Sequence, residues 1–222
     1  MHTDGVSVFI VDESGRHQPV THNLNLTKFR ALCDLPVTGC NNPKLPKNSV
    51  ILPQGTADQK AAARITTWIA TSDLTKPKPL SPDVLKLEKF DDMVNVLATS
   101  HVFRIKRNIR GDELRDTIYE YIKQGPPSFD EFAMVCDYLH FDVGLVKTAM
   151  HAVMFCKAKG GARVPPEMAK IEAFCKQHGM WDDMLDIEDD ITYGMEERNR
   201  QDEEKAEARR ARRGGQNFNV IR

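Results

Sequence analysis

Apolar residues keep helical spacing over their longest run between Phe90 and Ile122, on both sides of one interruption. Phe90, Met93, Val94 and Leu97 fall three to four residues apart, which stacks them on one face and leaves Asp91, Asp92 and Asn95 to water. Gly111 breaks the pattern and Asp112 is placed to cap a second helix. Leu114, Ile118, Tyr121 and Ile122 then resume the spacing until Gly125-Pro126-Pro127 stops it. The pattern predicts two helices joined at a tight turn, each burying one face.

Before this pair the periodicity is shorter. Val6 to Val11 reads as a strand, Glu13-Ser14-Gly15-Arg16 as a turn, and His17 to Val20 as the returning strand of a hairpin. Leu24, Leu26, Phe29 and Leu32 predict a short helix closing onto it. Asp34 to Asn48, with Pro36, Gly39, Pro43 and Pro46, predicts a mobile loop. Val50-Ile51-Leu52 predicts a third strand, stopped by Pro53. From Asp58 to Thr71, Ala62, Ile65, Trp68 and Ile69 form the inner face of a helix, and Lys76 to Pro82 is an extended, proline-rich linker.

Beyond Pro127 the pattern is helical. Ser128 and Glu131 have capping-box spacing ahead of Phe132, Val135, Cys136 and Leu139. A helix over Leu145 to Lys159 turns Val146, Met150, Val153 and Met154 inward and ends at Gly160-Gly161. Pro165-Pro166-Glu167 opens a short helix facing inward with Met168, Ile171, Phe174 and Cys175. After Trp181 large apolar groups become rare: an acidic run, Asp182 to Asp190, leads to EERNRQDEEKAEARRARRGG. That stretch has no face with which to build a core, so a solvated, partly disordered tail is expected. The alternative is an exposed helix held by pairs such as Glu196 with Arg200 and Glu207 with Arg210.

At 222 residues the chain has material for one full core, or one core and a helical appendage. No apolar run approaches the roughly 18–20 residues that span a bilayer, so no membrane association is expected. The first residues lack the basic flank and long apolar region of a signal peptide, which predicts a location in the nucleus or cytoplasm. Five widely spaced cysteines without a CxxC are expected to be buried thiols of a reducing compartment. The formal net charge is −1, so any attraction to nucleic acid has to be local.

Motifs that carry chemistry are absent: there is no GxSxG, phosphate-binding glycine loop, GxGxxG or HExxH. The runs Asp182-Asp183 and Glu188-Asp189-Asp190 lie in hydrophilic sequence where nothing would raise a carboxyl pKa. No enzymatic activity, cofactor or metal is therefore expected. Cys136 with His140 and Cys175 with His178 have ligand-like spacing, but each pair lies in sequence that reads as helix, and packing is the expected role of these cysteines. Two basic clusters stand out. Arg209, Arg210, Arg212 and Arg213, next to two glycines, are candidates for phosphate contacts or nuclear import. Arg104, Lys106, Arg107 and Arg110 lie within the helix pair, where an exposed face is needed in any case.

The order hairpin, short helix, strand ending in Leu-Pro, helix with an inward tryptophan, linker and helix pair resembles the BTB/POZ fold. Individual stretches are similar too. Val6 to Val11 looks like the family's first strand, and Val20-Thr21-His22 with Leu26 is similar to its V-H-x-x-x-L. Val50-Ile51-Leu52-Pro53, the helix carrying Ile65, Thr67, Trp68 and Ile69, and Leu97-Ala98 followed by Phe103-Arg104-Ile105 resemble later family motifs. The likeness covers Val6 to Ile122, and Phe129 to Phe155 looks like the helical extension of fungal members. Thr27-Lys28-Phe29 stands where the family has S-x-x-F, and Asn108 where it has a leucine.

The resemblance implies an α+β fold with a BTB/POZ-like small sheet and helix pairs over residues 1–125. A helical extension over 126–180 and a charged tail over 181–222 follow. It further implies a non-enzymatic protein–protein interaction module, a scaffold or adaptor, with a substrate adaptor of a cullin-type ubiquitin ligase as one form. Because the chain begins almost at the first strand, the N-terminal helix that exchanges between protomers in dimeric members is expected to be missing. Protein partners are expected at Phe90, Val94 and Phe103, and either protein or nucleic acid at Arg209, Arg210, Arg212 and Arg213.

Overall fold

The computed structural model describes residues 5–39, 45–160 and 167–216, with 38–39 and 211–216 as backbone only. It is an α+β protein with a four-stranded sheet in the order β2-β1-β4-β3. Two compact units are present: Met1–Gly125 with Asp130–Ala149, and Pro126–Phe129 with Met150–Arg222.

In the first unit, β1 (Gly5–Val11) pairs antiparallel with β2 (His17–Asn25) and parallel with β4 (Asn48–Leu52). Being central, β1 is covered on both faces, and Val6 to Ile10 are all buried. The hairpin turn is organised by Asp12, whose carboxylate accepts from Ser14 N, Arg16 N and Gln18 Nε2 at 2.9 Å each. Those bonds, led by the one from Gln18, hold its pKa well below the usual carboxylate range. Gly15 completes the turn at φ +76°, where a side chain would be strained. The returning strand runs on to Asn25, past the expected Val20, because β1 offers partners along its whole length. Pro19 is tolerated because β2 is an edge strand.

The helix α1 (Leu26–Leu32), capped by the Asn25 side chain, returns the chain to the parallel strand β4. The segment expected to be a mobile loop contains a two-residue strand, β3 (Thr38–Gly39), paired with β4. Residues 40–44 of that loop, Cys40 among them, lie outside the described residues, as do Gly161, Pro165 and Pro166.

Asp58 caps α2 (Gln59–Thr71), whose Ala62, Ile65 and Ile69 are fully buried while Trp68 is 5 % exposed. The indole N–H of Trp68 donates to Lys78 O at 3.1 Å, fixing the extended linker against the helix. A single turn, α3 (Pro82–Leu85), leads to α4 (Phe90–Val102), in which eight of thirteen residues are buried. The expected tight turn to the next helix is instead a ten-residue segment containing α5 (Arg107–Arg110). Phe103, Ile105 and Ile109 are buried at 0, 4 and 6 % exposure, so this corner is a third piece of core. Sequence spacing missed it because its apolar residues follow neither helical nor strand periodicity. Gly111 leaves the corner at φ +69° with Pro79 Cβ only 3.0 Å from where its own Cβ would be. Asp112 precedes α6 (Glu113–Gln124), but its side chain makes no capping bond.

Also in this unit, Arg115 on α6 donates to both carboxylate oxygens of Asp142, at 2.6 and 3.1 Å. Asp142 also accepts from Leu145 N, the start of α8 (Val143–Lys159), which follows α7 (Phe129–Tyr138).

The second unit holds the later part of α8 with α9 (Met168–Gln177) and α10 (Trp181–Gln216). Its core is formed by Met150, Val153, Met154, Ile171, Cys175, Met184 and Ile191. Lys157 and Lys176 lie 5.7 and 5.5 Å from the centre of the Trp181 ring, and Lys157 also donates to Glu188 at 2.6 Å. From Trp181 to Gln216 the charged tail is thus one continuous helix. Its first turns are anchored by Met184 and Ile191, so the costly nucleation step is provided by packing, and alanine, glutamate, lysine and arginine only have to propagate it. Among the described residues the tail's ion pairs join Glu197 with Arg200 and Asp202 with Lys205, rather than Glu196 with Arg200 and Glu207 with Arg210.

Candidate functional site

The expected contact residues on the folded body lie in its interior. Val94 and Phe103 expose nothing, and Phe90 is 5 % exposed. Phe103 packs against Phe29, with ring centres 6.4 Å apart, and Phe90 stacks beneath Tyr121 at 4.4 Å. What reaches the surface here is Tyr121, 41 % exposed, which the sequence reading placed on the inner face of its helix. A groove between α4 and α6 is lined by Met93 and Tyr121, with Glu113, Asp116 and Glu120 along α6. Tyr121 Oη donates to Glu131 at 2.7 Å, and this bond, followed by burial, pushes the phenol pKa up to about 12. The ring is therefore held in place as a neutral apolar wall beside an acidic rim.

A smaller cleft of about 260 Å³ lies at the start of α2, lined by Gly55, Asp58, Asn95, Thr99, Met134 and Tyr138. Asp58 is engaged as the helix cap, accepting from Ala61 N at 2.8 Å, so its carboxylate is already used locally.

Of the tail arginines, Arg209 and Arg210 are exposed on α10, and among the described residues no carboxylate pairs with them. Arg212 and Arg213 lie on the same helix, described as backbone only. The other basic cluster is structured: Arg104, Arg107 and Arg110 project from the corner between α4 and α6, and His101 stacks on Phe141 beside it.

Neither pairing with ligand-like spacing assembles a metal site. Cys175 is fully buried, and that burial pushes its thiol up to about 11, opposing the thiolate a metal requires. His178 faces Phe174, with its Nδ1 2.9 Å from Phe174 O and its ring stacked at 4.1 Å. The ring nitrogen of His140 lies 2.8 Å from Asp137 O. Among the described residues no group of three or more histidine, cysteine, aspartate and glutamate side chains could hold a metal ion. Cys33 is likewise buried, and burial pushes its thiol up to about 12. No described helix is long and apolar enough to cross a membrane.

No family model, curated protein or solved structure matches this chain.

Proposed function

We propose that the protein is a non-enzymatic interaction module of BTB/POZ-like build, acting as a scaffold or adaptor subunit. The observation that carries this reading is the groove between α4 and α6, with Tyr121 presented as a rigid aromatic anchor next to Glu113, Asp116 and Glu120. Rigid aromatics partly exposed in a groove are what partner helices and peptides bind, and the acidic rim favours a basic amphipathic one. The order of elements adds support: a hairpin, a parallel return strand, the Trp68 helix and then the buried α4 corner follow the order of the fold it resembles.

The test compares partners captured by the parent protein with those captured by Tyr121→Lys, at an exposed position of α6, and Thr117→Lys, at a half-buried one on the same groove. The proposal expects a defined set of partners that both variants lose while the fold is unchanged. Capture that is identical in all three proteins overturns it. Titration with a panel of cullin N-terminal domains examines the ubiquitin-ligase form, which requires saturable binding to at least one of them.

A second reading rests on the exposed arginines of α10. Arg209 and Arg210 have no carboxylate partner among the described residues, which leaves them able to neutralise phosphates of a single-stranded nucleic acid. Each phosphate neutralised should add about 0.7 to the slope of log affinity against log salt. Replacing Arg209, Arg210, Arg212 and Arg213 with alanine should abolish RNA binding and leave melting of the folded units unchanged. RNA binding that survives the replacement removes this reading.

A further inference from the structure

We infer that the corner between α4 and α6 is a binding site for a compact dianion, a phosphate monoester, held by Arg104, Arg107 and Arg110 beside the stacked rings of His101 and Phe141. This goes beyond the interaction-module reading and uses a different surface.

Charge comes first. Arg104, Arg107 and Arg110 lie within seven residues, and among the described residues no carboxylate pairs with any of them. The neighbouring Lys106 is differently placed, with Asp34 Oδ1 3.9 Å away and a hydrogen bond from its Nζ to Arg30 O at 3.0 Å. Arginines set close to a carboxylate are paired in the same unit, as Arg64 is with Asp92 and Arg115 with Asp142. Against three guanidinium groups carried on one corner, an anion of two charges gains more Coulomb attraction than a single carboxylate does. The planar fork of each guanidinium also fits phosphate oxygens two at a time.

Rigidity comes second. Arg104 has a left-handed backbone, φ +49°, a conformation unfavourable for an L-residue that persists only where its surroundings impose it. Those surroundings are visible. Phe103 and Ile105 are buried on either side, Arg104 N donates to His101 O at 2.9 Å, and Arg104 O accepts from Asp34 N at 2.9 Å. Lys106 N donates to Leu32 O, and Ile109 anchors α5 as its buried residue. Arg107 and Arg110 are three apart on one helical turn, so their side chains leave the same side of it. The arginines are therefore carried on a fixed frame, which lowers the ordering cost of binding.

The rings come third. His101 and Phe141 stack at 3.9 Å with planes 5° apart, and His101 is an exposed residue. Burial of part of its ring, followed by the charges of Arg110, His140 and Arg104, lowers the His101 pKa. The charges that act on His101 are thus basic, while the acidic neighbour of the corner, Asp34, bonds Arg104 O through its N–H and has its carboxylate 3.9 Å from Lys106. A bound dianion reverses the field at His101, so proton uptake and anion binding favour each other. For an anion that keeps both charges, affinity should rise as pH falls through the histidine range, whereas a phosphate monoester loses its second charge at about pH 6.

The experiment follows the ring resonances of His101 and His140 during titration of the full chain, at ionic strength held constant with chloride. Sulfate is the first probe, because it keeps two charges across the pH range, and O-phosphoserine, free and within a short peptide, is the second. Saturable shifts are expected with both, and sulfate should bind more tightly at pH 5.5 than at pH 7.5. Arg107→Ala and Arg110→Ala should each weaken binding by about three- to tenfold. Arg104→Asn, a residue that tolerates the left-handed backbone, should do the same without loss of the folded spectrum. Arg107→Lys and Arg110→Lys should retain part of the affinity. A peptide that binds no better than free phosphoserine assigns the site to small phosphates, and tighter peptide binding assigns it to a phosphorylated partner; both support the site. Shifts that chloride alone reproduces, or that all three variants leave unchanged, overturn it. Single-stranded RNA binding here with a salt slope of several phosphates also overturns it, since that describes an extended track rather than a compact pocket.

Discussion

Two helices of this protein have opposite reasons to be helical. In α4, eight of thirteen residues are buried, and neighbours on α2 and α6 fix its register. In α10 every residue from Arg198 to Arg210 is exposed, and the described ion pairs there join residues three apart on the helix itself. The first is a tertiary helix that would lose its shape with its neighbours. The second is a local helix, extended from a packed start at Met184 and Ile191. Backbone geometry does not distinguish them, but energetics should.

The largest expected difference comes from truncating the core. Phe103→Ala or Ile118→Ala, each at a fully buried position, should destabilise the first unit by about 3–5 kcal/mol for the phenylalanine and about 2–5 kcal/mol for the isoleucine. Denaturant unfolding followed by tryptophan fluorescence measures this through Trp68. If either change cost less than a kilocalorie, α4 and α6 would not be held by the core described.

Next in size is the Arg115–Asp142 pair. Burial pushes the Asp142 carboxyl up, but the Arg115 hydrogen bonds and those from the backbone of Leu145 and Gly144 outweigh it and hold the pKa below its ordinary value. A depressed folded-state pKa contributes stability above the unfolded value of about 3.9, and that contribution is lost as pH falls through the folded value. Asp142→Asn should therefore cost about 1–2 kcal/mol at neutral pH, a modest figure because Arg115 is 37 % exposed. The deficit should vanish in acid, and a deficit that persists at the lowest pH would show that packing, not charge, is lost.

The smallest effects belong to the distal half of α10. Ala208→Gly should cost about 1 kcal/mol of local helix and leave the cooperative unfolding of both units unchanged. Removing one pair with Glu197→Gln should cost only about 0.3–0.5 kcal/mol, visible by circular dichroism at low salt and absent at high salt. A shift in the main transition would mean that this half is docked on something.

The same contrast explains what could be read from sequence. The inner faces of α2, α4 and α6 were legible because burial of one helix side leaves a 3.6-residue period, as at Ile65, Trp68 and Ile69. β1 was legible as an apolar run, whereas β3, two residues long, leaves no period at all. The corner from Phe103 to Ile109 was not legible from spacing, since each of its buried residues answers to a different neighbour, and only the resemblance at Phe103-Arg104-Ile105 touched it. The basic cluster itself was visible, but Arg104, Arg107 and Arg110 read as the wet side of a helix until the corner fixed their frame. Tyr121 was misplaced because, at the edge of the apolar face of α6, it both stacks on Phe90 and reaches solvent. The distal half of α10 has no apolar period, so only its charge spacing and its anchored start favoured a helix.

Amide hydrogen exchange on the free protein tests this division most directly. The account predicts that amides of Val96, Leu97 and Ile118 exchange only through unfolding of the first unit, and that those from Arg198 to Arg210 exchange with little protection despite their helical backbone. Equal, strong protection in both regions would contradict it, because a helix without buried residues has nothing of its own to supply that protection.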